Sequence, residues 1–371
     1  MNLKSLLLSS DEKTVRILRR VLSDLEISVE HCAAMDDGIR RLTRHRFEAI
    51  IVDCANPQEA ADAMRAVKAS PVNKRALAIA LVESAVGIKG GFDMGAHFVL
   101  HKPLAVERAK GSFRAVRALM KRERRLQLRV PVQVPVECMG SRRFYANTLD
   151  ICEGGMALQF TGQPARETSL RFNLELPGAA AKLEIWGEMA WEGNSRQAGV
   201  RFMNVTEAQR KTLRTWLNSQ LPDVEPDDPP VVCRLTDLTL GACYLTTGSP
   251  FPKATRVTLS MRAGDIEVRA TGVVRVSHPE FGMGVEFVQA TVEQQGQVHR
   301  MIEALRASGE SPELQVEPDG LETGASDEAA PARASACADD PLLDLFLRKP
   351  HTSVEVFLEQ MQQQRNLQES R

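Results

Sequence analysis

Little in this sequence favours covalent cross-links, membrane insertion or catalysis. The seven cysteines (Cys32, Cys54, Cys138, Cys152, Cys233, Cys243 and Cys337) form no CxxC pair and have no histidines at ligand spacing. That argues against a disulfide framework and against a zinc site. Aromatic residues make up 5% of the chain, and Tyr145 and the three tryptophans read as barrel or helix packing rather than a stacking platform. No apolar run approaches the roughly 20 residues a membrane helix needs. The opening MNLKSLLLSSDE turns acidic too soon for a signal peptide. With 47 basic and 48 acidic residues the net charge is −1, so no global field attracts nucleic acid or an anionic membrane. Any anion site must be a local cluster. There is no G-x-S-x-G, P-loop, HExxH or GGDEF-like sequence, and the seven histidines share no spacing. The expectation is a protein of the reducing cytoplasm that is not an enzyme, has no metal or cofactor, and neither binds nucleic acid nor enters a membrane.

What is present is material for two or three cores: 371 residues, 43% of them hydrophobic. Residues 1–120 alternate short apolar runs (Leu3–Leu8, Val29–Cys32, Ala49–Asp53, Leu77–Leu81, Phe98–Leu100) with amphipathic stretches. That pattern predicts a doubly wound parallel α/β domain. Its last helix, from Ala105 to Met120, runs into the basic stretch Lys121–Arg125. Residues 121–220 change to period two (VPVQVPVEC, MALQF, LRFNLEL, LEIWGEMAWE, AGVRF), the mark of a small antiparallel barrel, and end in a helix. The proline-rich acidic PDVEPDDPP follows as a linker. Residues 231–306 form a second β block ending in a helix. DICEGGMAL at Asp150 parallels DLTLGACYL at Asp237, and AGVRF at Ala198 parallels MGVEF at Met283. Agreement in order and spacing argues for duplication. Residues 307–340, with nine acidic residues and one basic, read as a disordered acidic linker. The tail 341–371 reads as a helix with Val354, Phe357, Leu358 and Met361 on one face, suited to docking on a partner or on the body of the protein.

Two constellations carry chemistry. Arg124-Arg125-Leu126-Gln127-Leu128-Arg129 sets two arginines four residues apart, able to converge on one anion where the backbone turns or is helical. Guanidinium groups grip phosphate through paired hydrogen bonds and stack on purines. Asp150-Ile151-Cys152-Glu153-Gly154-Gly155 then places a carboxylate at a strand end, able to accept from a guanine edge, beside glycines that permit a turn and a close approach. By itself that hexapeptide reads as a hairpin with Asp150 capping its own turn.

Taken together, RxxxR, about 20 residues, DxCxxG, a strand and a closing GVRF before a helix resemble the PilZ domain. The resemblance implies a receptor for cyclic di-GMP. It implies that Arg125 and Arg129 hold the phosphates, that Asp150 and Cys152 stand at the base-reading positions, and that Gly155 is the close-approach residue. Arg124 matches a further arginine common in that family. Cys152 departs from the family's serine, and a thiol is the weaker donor. The second β block resembles the same fold without the clamp: no arginine pair precedes Asp237, and Ala242 replaces the final glycine.

Residues 1–115 resemble receiver domains of response regulators. Asp53 stands at the phosphoacceptor position, and Lys102-Pro103 matches the Lys-Pro after the fifth strand. The family's acidic pair is replaced by Ser9-Ser10, and its hydroxyl and aromatic switch positions by Val82 and Val99. A pseudo-receiver in which Asp53 pairs with Lys102 is therefore expected. The functional expectation is an effector in which cyclic di-GMP changes the arrangement of domains and so acts on an unidentified protein partner; a homodimer fits the same reading. The competing readings are a constitutive scaffold that binds no nucleotide and a phospho-regulated response regulator.

Overall fold

The computed structural model describes residues 3–83, 86–162, 169–178, 182–193, 196–203, 205–221, 227–288, 292–308 and 312–322. The expected tail helix within 341–371 lies outside them. The chain folds as two compact units: one holds residues 123–226, and the other combines residues 2–122 with the chain from residue 227 onward.

The α/β part of the larger unit opens with β1 (Leu3–Leu8), α1 (Glu12–Asp24), β2 (Ile27–Cys32), α2 (Met35–Leu42) and β3 (Ala49–Asp53). It continues with α3 (Pro57–Ala69), β4 (Leu77–Val82), α4 (Gly87–Asp93), β5 (Phe98–His101) and α5 (Val106–Gln127). The sheet is parallel, in the order β2-β1-β3-β4-β5, the doubly wound arrangement of receiver domains. Its strands are apolar throughout because both faces are buried. Leu7, Ile51, Ile79 and Leu100 join one core with α1 and α5, whereas Leu8, Val52, Ala80 and Val99 join another with α3.

The smaller unit contains β6 (Val130–Pro131), β7 (Pro135–Met139), β8 (Arg143–Cys152), β9 (Gly155–Phe160), β10 (Ser169–Leu174), β11 (Leu183–Glu192), β12 (Gln197–Met203) and α6 (Glu207–Gln220). The strands run β6-β8-β7-β10-β11-β12-β9, and β8–β9 pairing closes a six-stranded barrel with β6 appended. Thr206 and Gln209 form a reciprocal capping box at the start of α6. Its Leu213, Trp216 and Leu217 then complete the barrel core. Of the aromatics expected to pack, only Trp216 is buried. Tyr145, Trp186 and Trp191 are about half exposed on the outer wall, with Trp186 under the Arg171 guanidinium at 5.9 Å.

The second barrel comprises β13 (Val231–Leu238), β14 (Ala242–Thr246), β15 (Thr255–Ala263), β16 (Ile266–His278), β17 (Gly282–Phe287), α7 (Val292–Ser308) and β18 (Glu313–Leu321). It closes in the order β13-β14-β17-β16-β15-β18. Duplication is visible in its irregularities. The bulge between Thr148 and Asp150 recurs between Leu235 and Asp237, and that between Met189 and Trp191 recurs between Val274 and Val276.

One stave is permuted. In the first barrel β7, ahead of β8, fills the gap between β8 and β10; in the second, β18 arrives from the C-terminal side to pair with β13 and β15. This corrects the expectation of an acidic linker over the whole of 307–340. Leu314 and Val316 alternate inward and are buried, and that short apolar repeat suffices for a stave; Glu313 is exposed, whereas Asp319 is buried and accepts from the Thr258 hydroxyl at 2.7 Å.

The second barrel shares its unit with the α/β fold rather than standing alone. Ser249 Oγ donates to Gly111 O on α5 at 2.7 Å. A Cβ on Gly111 would lie 3.5 Å from Gly248 O, an ordinary van der Waals contact, so the 248–249 loop packs on the helix without requiring a glycine there. Arg108 meets Glu280 at 3.2 Å.

His97, just before β5, lines the crevice with Ser277, Pro279 and Glu280. Its Nδ1 accepts the Ala78 N–H at 2.9 Å, which requires the neutral ring. Burial, aided by Lys68, lowers its pKa to about 4. The folded protein therefore refuses a proton that the unfolded chain accepts. Stability conferred by the neutral ring is full above pH about 6.5 and is lost as pH falls toward about 4, up to roughly 3 kcal/mol. Urea midpoints at pH 7 and pH 5 should differ in the native protein, and His97→Asn should shrink that difference. An unchanged pH slope in the variant would remove His97 from the account.

Candidate functional site

Of the expected anion clamp, the structure brings Arg129 and Asp150 together. Helix α5 runs past the expected end at Met120, unbroken to Gln127, so Arg124 and Arg125 lie in its last turn. The Leu128 N–H ends the helix on Arg124 O and Arg125 O, both at 3.1 Å. Two residues later β6 pairs Val130 with Ile151 and Pro131 with Asp150. That register brings Arg129 to the strand carrying Asp150, and Arg129 Nη1 meets Asp150 Oδ1 at 2.5 Å. Partial burial opposes the charge on Arg129, but the Asp150 carboxylate more than offsets it, and the guanidinium pKa is raised.

The turn itself is rigid. Cys152 pairs with Gly155 at the hairpin end, and the Phe202 N–H donates to Gly154 O at 3.0 Å. Cys152 is buried, which raises its thiol pKa against the opposing effect of Arg129 and of the Gly154 and Gly155 N–H groups. Glu153 faces Arg214 of α6 at 3.8 Å, a contact that no motif in the sequence flagged. Gly155 has a structural reason to be glycine: a Cβ there would sit 2.2 Å from Val200 O of β12. The close approach expected at this position is made by the barrel's own backbone.

The second barrel is arranged differently at the corresponding place. In the first barrel, continuity from α5 through β6 to β7 delivers Arg129 beside Asp150. The corresponding stave of the second barrel is β18, so the segment ahead of β13 is not led into the barrel by a preceding strand. Asp237 instead accepts the Leu238 N–H at 2.8 Å within its own turn.

At the C-terminal edge of the parallel sheet, Asp53 is buried and bonded on both oxygens. Lys102 Nζ lies 3.2 and 3.1 Å away and Ser9 Oγ donates at 2.7 Å. Lys102 also reaches Asp11 and Glu83, each at 3.4 Å. Burial disfavours its charge, yet Asp53 and Asp11 leave its pKa raised. Asp11 is drawn into capping α1, where the Thr14 hydroxyl at 2.6 Å, ahead of burial acting the other way, lowers its pKa. Val82 and Val99 are buried and present methyl groups where a hydroxyl and an aromatic ring were sought. The carboxylates near Asp53 thus converge on an ammonium group. Among the described residues no cluster of three or more His, Cys, Asp or Glu is arranged to hold a metal ion.

Residues 122–219 match the family model of the PilZ domain. The α/β fold is similar to the receiver domain of a Pseudomonas aeruginosa sensor histidine kinase, whose structure holds magnesium in its active-site cleft (22% identity, 32% of this chain and 98% of that one, TM-score 0.29). It is likewise similar to the chemotaxis response regulator CheY4 of Vibrio cholerae (21% identity, 31% and 99%, TM-score 0.29). The PilZ domain of CeSA from a cellulose-synthesizing bacterium matches at 18% identity over 27% of this chain and all of that one, TM-score 0.21. No curated protein matches the chain. The protein is built from a receiver-like α/β domain and two closed antiparallel barrels, and the first barrel holds the segment that matches the PilZ family model. No described helix is long and apolar enough to cross a membrane.

Proposed function

We propose that this protein is a cyclic di-GMP receptor that acts on a protein partner through a ligand-driven change in how its two units are arranged. The observation that carries this reading is the Arg129–Asp150 pair within a segment matching the PilZ model. In this reading a phosphate-binding and a base-reading side chain are neighbours, and Arg124 and Arg125 stand in the last turn of α5, just ahead of Arg129 in the sequence. The pair is partly exposed, so separating it costs at most about 1 kcal/mol. Two guanidinium groups on a phosphate return more than that, because charge-assisted hydrogen bonds are worth about 1.5–3 kcal/mol each. In this reading Arg125 and Arg129 hold phosphate, Asp150 and Cys152 stand at the base-reading positions, and Arg124 extends the cationic surface. None of them acts as a catalyst, and no cofactor is required.

Equilibrium dialysis against labelled cyclic di-GMP tests the proposal. Saturable uptake, displaced by unlabelled cyclic di-GMP and not by GMP, is expected; uptake no greater than that of the chain lacking residues 123–226 would refute it. Cys152→Ser refines the site. A hydroxyl is a stronger hydrogen-bond donor than a thiol, and affinity should rise about fivefold, equivalent to about 1 kcal/mol. Equal affinity in dialysis would mean that position 152 does not sense the base.

A scaffold reading is favoured by one feature: the receiver-like domain and the second barrel share a continuous core. This is compatible with the receptor reading if that body is the platform and the PilZ domain its sensor.

A further inference from the structure

The PilZ domain interrupts the other unit. The chain leaves that unit after Arg122 and returns to it at Asp227. At the point of return, Asp228 accepts from Arg117 Nη1 at 2.6 Å and from Lys121 Nζ at 2.8 Å. All three side chains are largely buried, with relative exposures of 14% for Asp228, 19% for Arg117 and 9% for Lys121. Arg117 also reaches Glu26, in the turn before β2, at 2.9 Å. The exit helix and the returning strand are thereby tied to each other and to the α/β fold.

Arg117, Lys121 and Arg125 succeed one another at intervals of four residues along α5, so they share one helix face. Asp228 is paired with the first two of these cations, and in the receptor reading the third belongs to the anion clamp. A change in how α5 ends when Arg125 takes up phosphate has two covalent routes back into the larger unit: along α5, and through residues 226–228 into β13. The second passes through Asp228, and the first passes Arg117 and Lys121, which Asp228 holds.

We propose that Asp228 is a positioning residue that couples ligand occupancy of the PilZ domain to the larger unit, by holding the exit helix and the re-entry strand as one hinge. It touches no ligand. The inference rests on the cyclic di-GMP reading above and adds to it the element on which that signal acts. Coupling of this kind is a free energy shared between two places and needs an element that both bias; the α5–Asp228–β13 junction is that element.

The test is amide hydrogen exchange on the intact chain, with and without saturating cyclic di-GMP, for the native protein and Asp228→Asn, with dialysis on the same samples. In the native protein, ligand should slow exchange at residues 117–122 and at Val231–Cys233 by at least about threefold. In Asp228→Asn, those segments should exchange faster without ligand, and the ligand-dependent change at Val231–Cys233 should disappear while binding persists. Bound native protein with no change in those segments would overturn the coupling, as would an unaltered response in Asp228→Asn. Absence of binding in the native protein would instead overturn the receptor reading and the coupling with it. Lys121→Met guards against a general effect of Asp228→Asn on folding: it removes one arm of the clamp and should reduce the response part of the way.

Discussion

Replacing Arg125 and Arg129 together by alanine is expected to lower cyclic di-GMP affinity between about a hundredfold and ten-thousandfold, with the fold intact. Each guanidinium supplies charge-assisted hydrogen bonds worth about 1.5–3 kcal/mol, and two such losses give about 3–6 kcal/mol. Stability should hardly move, because Arg129 is exposed and its ion pair with Asp150 is of the weak surface kind. Arg129→Lys separates charge from geometry: it keeps the cation but gives up the planar fork, so its loss should be intermediate. The comparison is made by calorimetric titration of the intact chains. A double variant that binds within about threefold of the native protein would place the site elsewhere.

The second large effect is on stability. Lys102→Met leaves the Asp53 carboxylate buried with only the Ser9 hydroxyl as a described partner. Removing one member of a buried ion pair costs about 3–5 kcal/mol, since the remaining charge stays desolvated. For a unit of this size that corresponds to a fall of roughly 10 °C in the unfolding midpoint. Adding Asp53→Asn to the same chain should recover most of the loss, because neither buried charge then remains. Thermal denaturation of the three variants decides the matter. A Lys102→Met chain that melts with the native protein would show that Asp53 is stabilised by something other than the ammonium group.

Most of the fold could be read from local patterns. The strands β1, β3, β4 and β5 fall where continuous apolar runs lie, since a strand buried on both faces leaves that mark without help from distant contacts. Duplication was visible because Asp150 and Asp237 head matching turns. The permuted stave was not visible. Residues Glu313–Leu321 have a composition typical of linkers, and only pairing with β13 and β15 gives Leu314 and Val316 an interior to fill. The junction of the receiver-like domain with the second barrel was equally hidden, because Gly111 and Ser249 stand 138 residues apart and neither forms a motif.

At the candidate site, residue types and spacing singled out Arg125, Arg129 and Asp150, and β6 pairing brings Arg129 beside Asp150, which the spacing left open. Gly155 shows where motif reading assigns too much to ligand, since its own barrel requires the missing side chain. Asp228 was hidden because an aspartate among prolines reads as linker until Arg117 and Lys121 are seen around it.

The central claim, that the first barrel is a cyclic di-GMP receptor, is tested most directly by isothermal titration of the intact native chain with cyclic di-GMP. The account predicts a saturable heat of binding with a Kd below about 100 µM. A titration without binding heat at several temperatures, in protein that melts cooperatively, would contradict it.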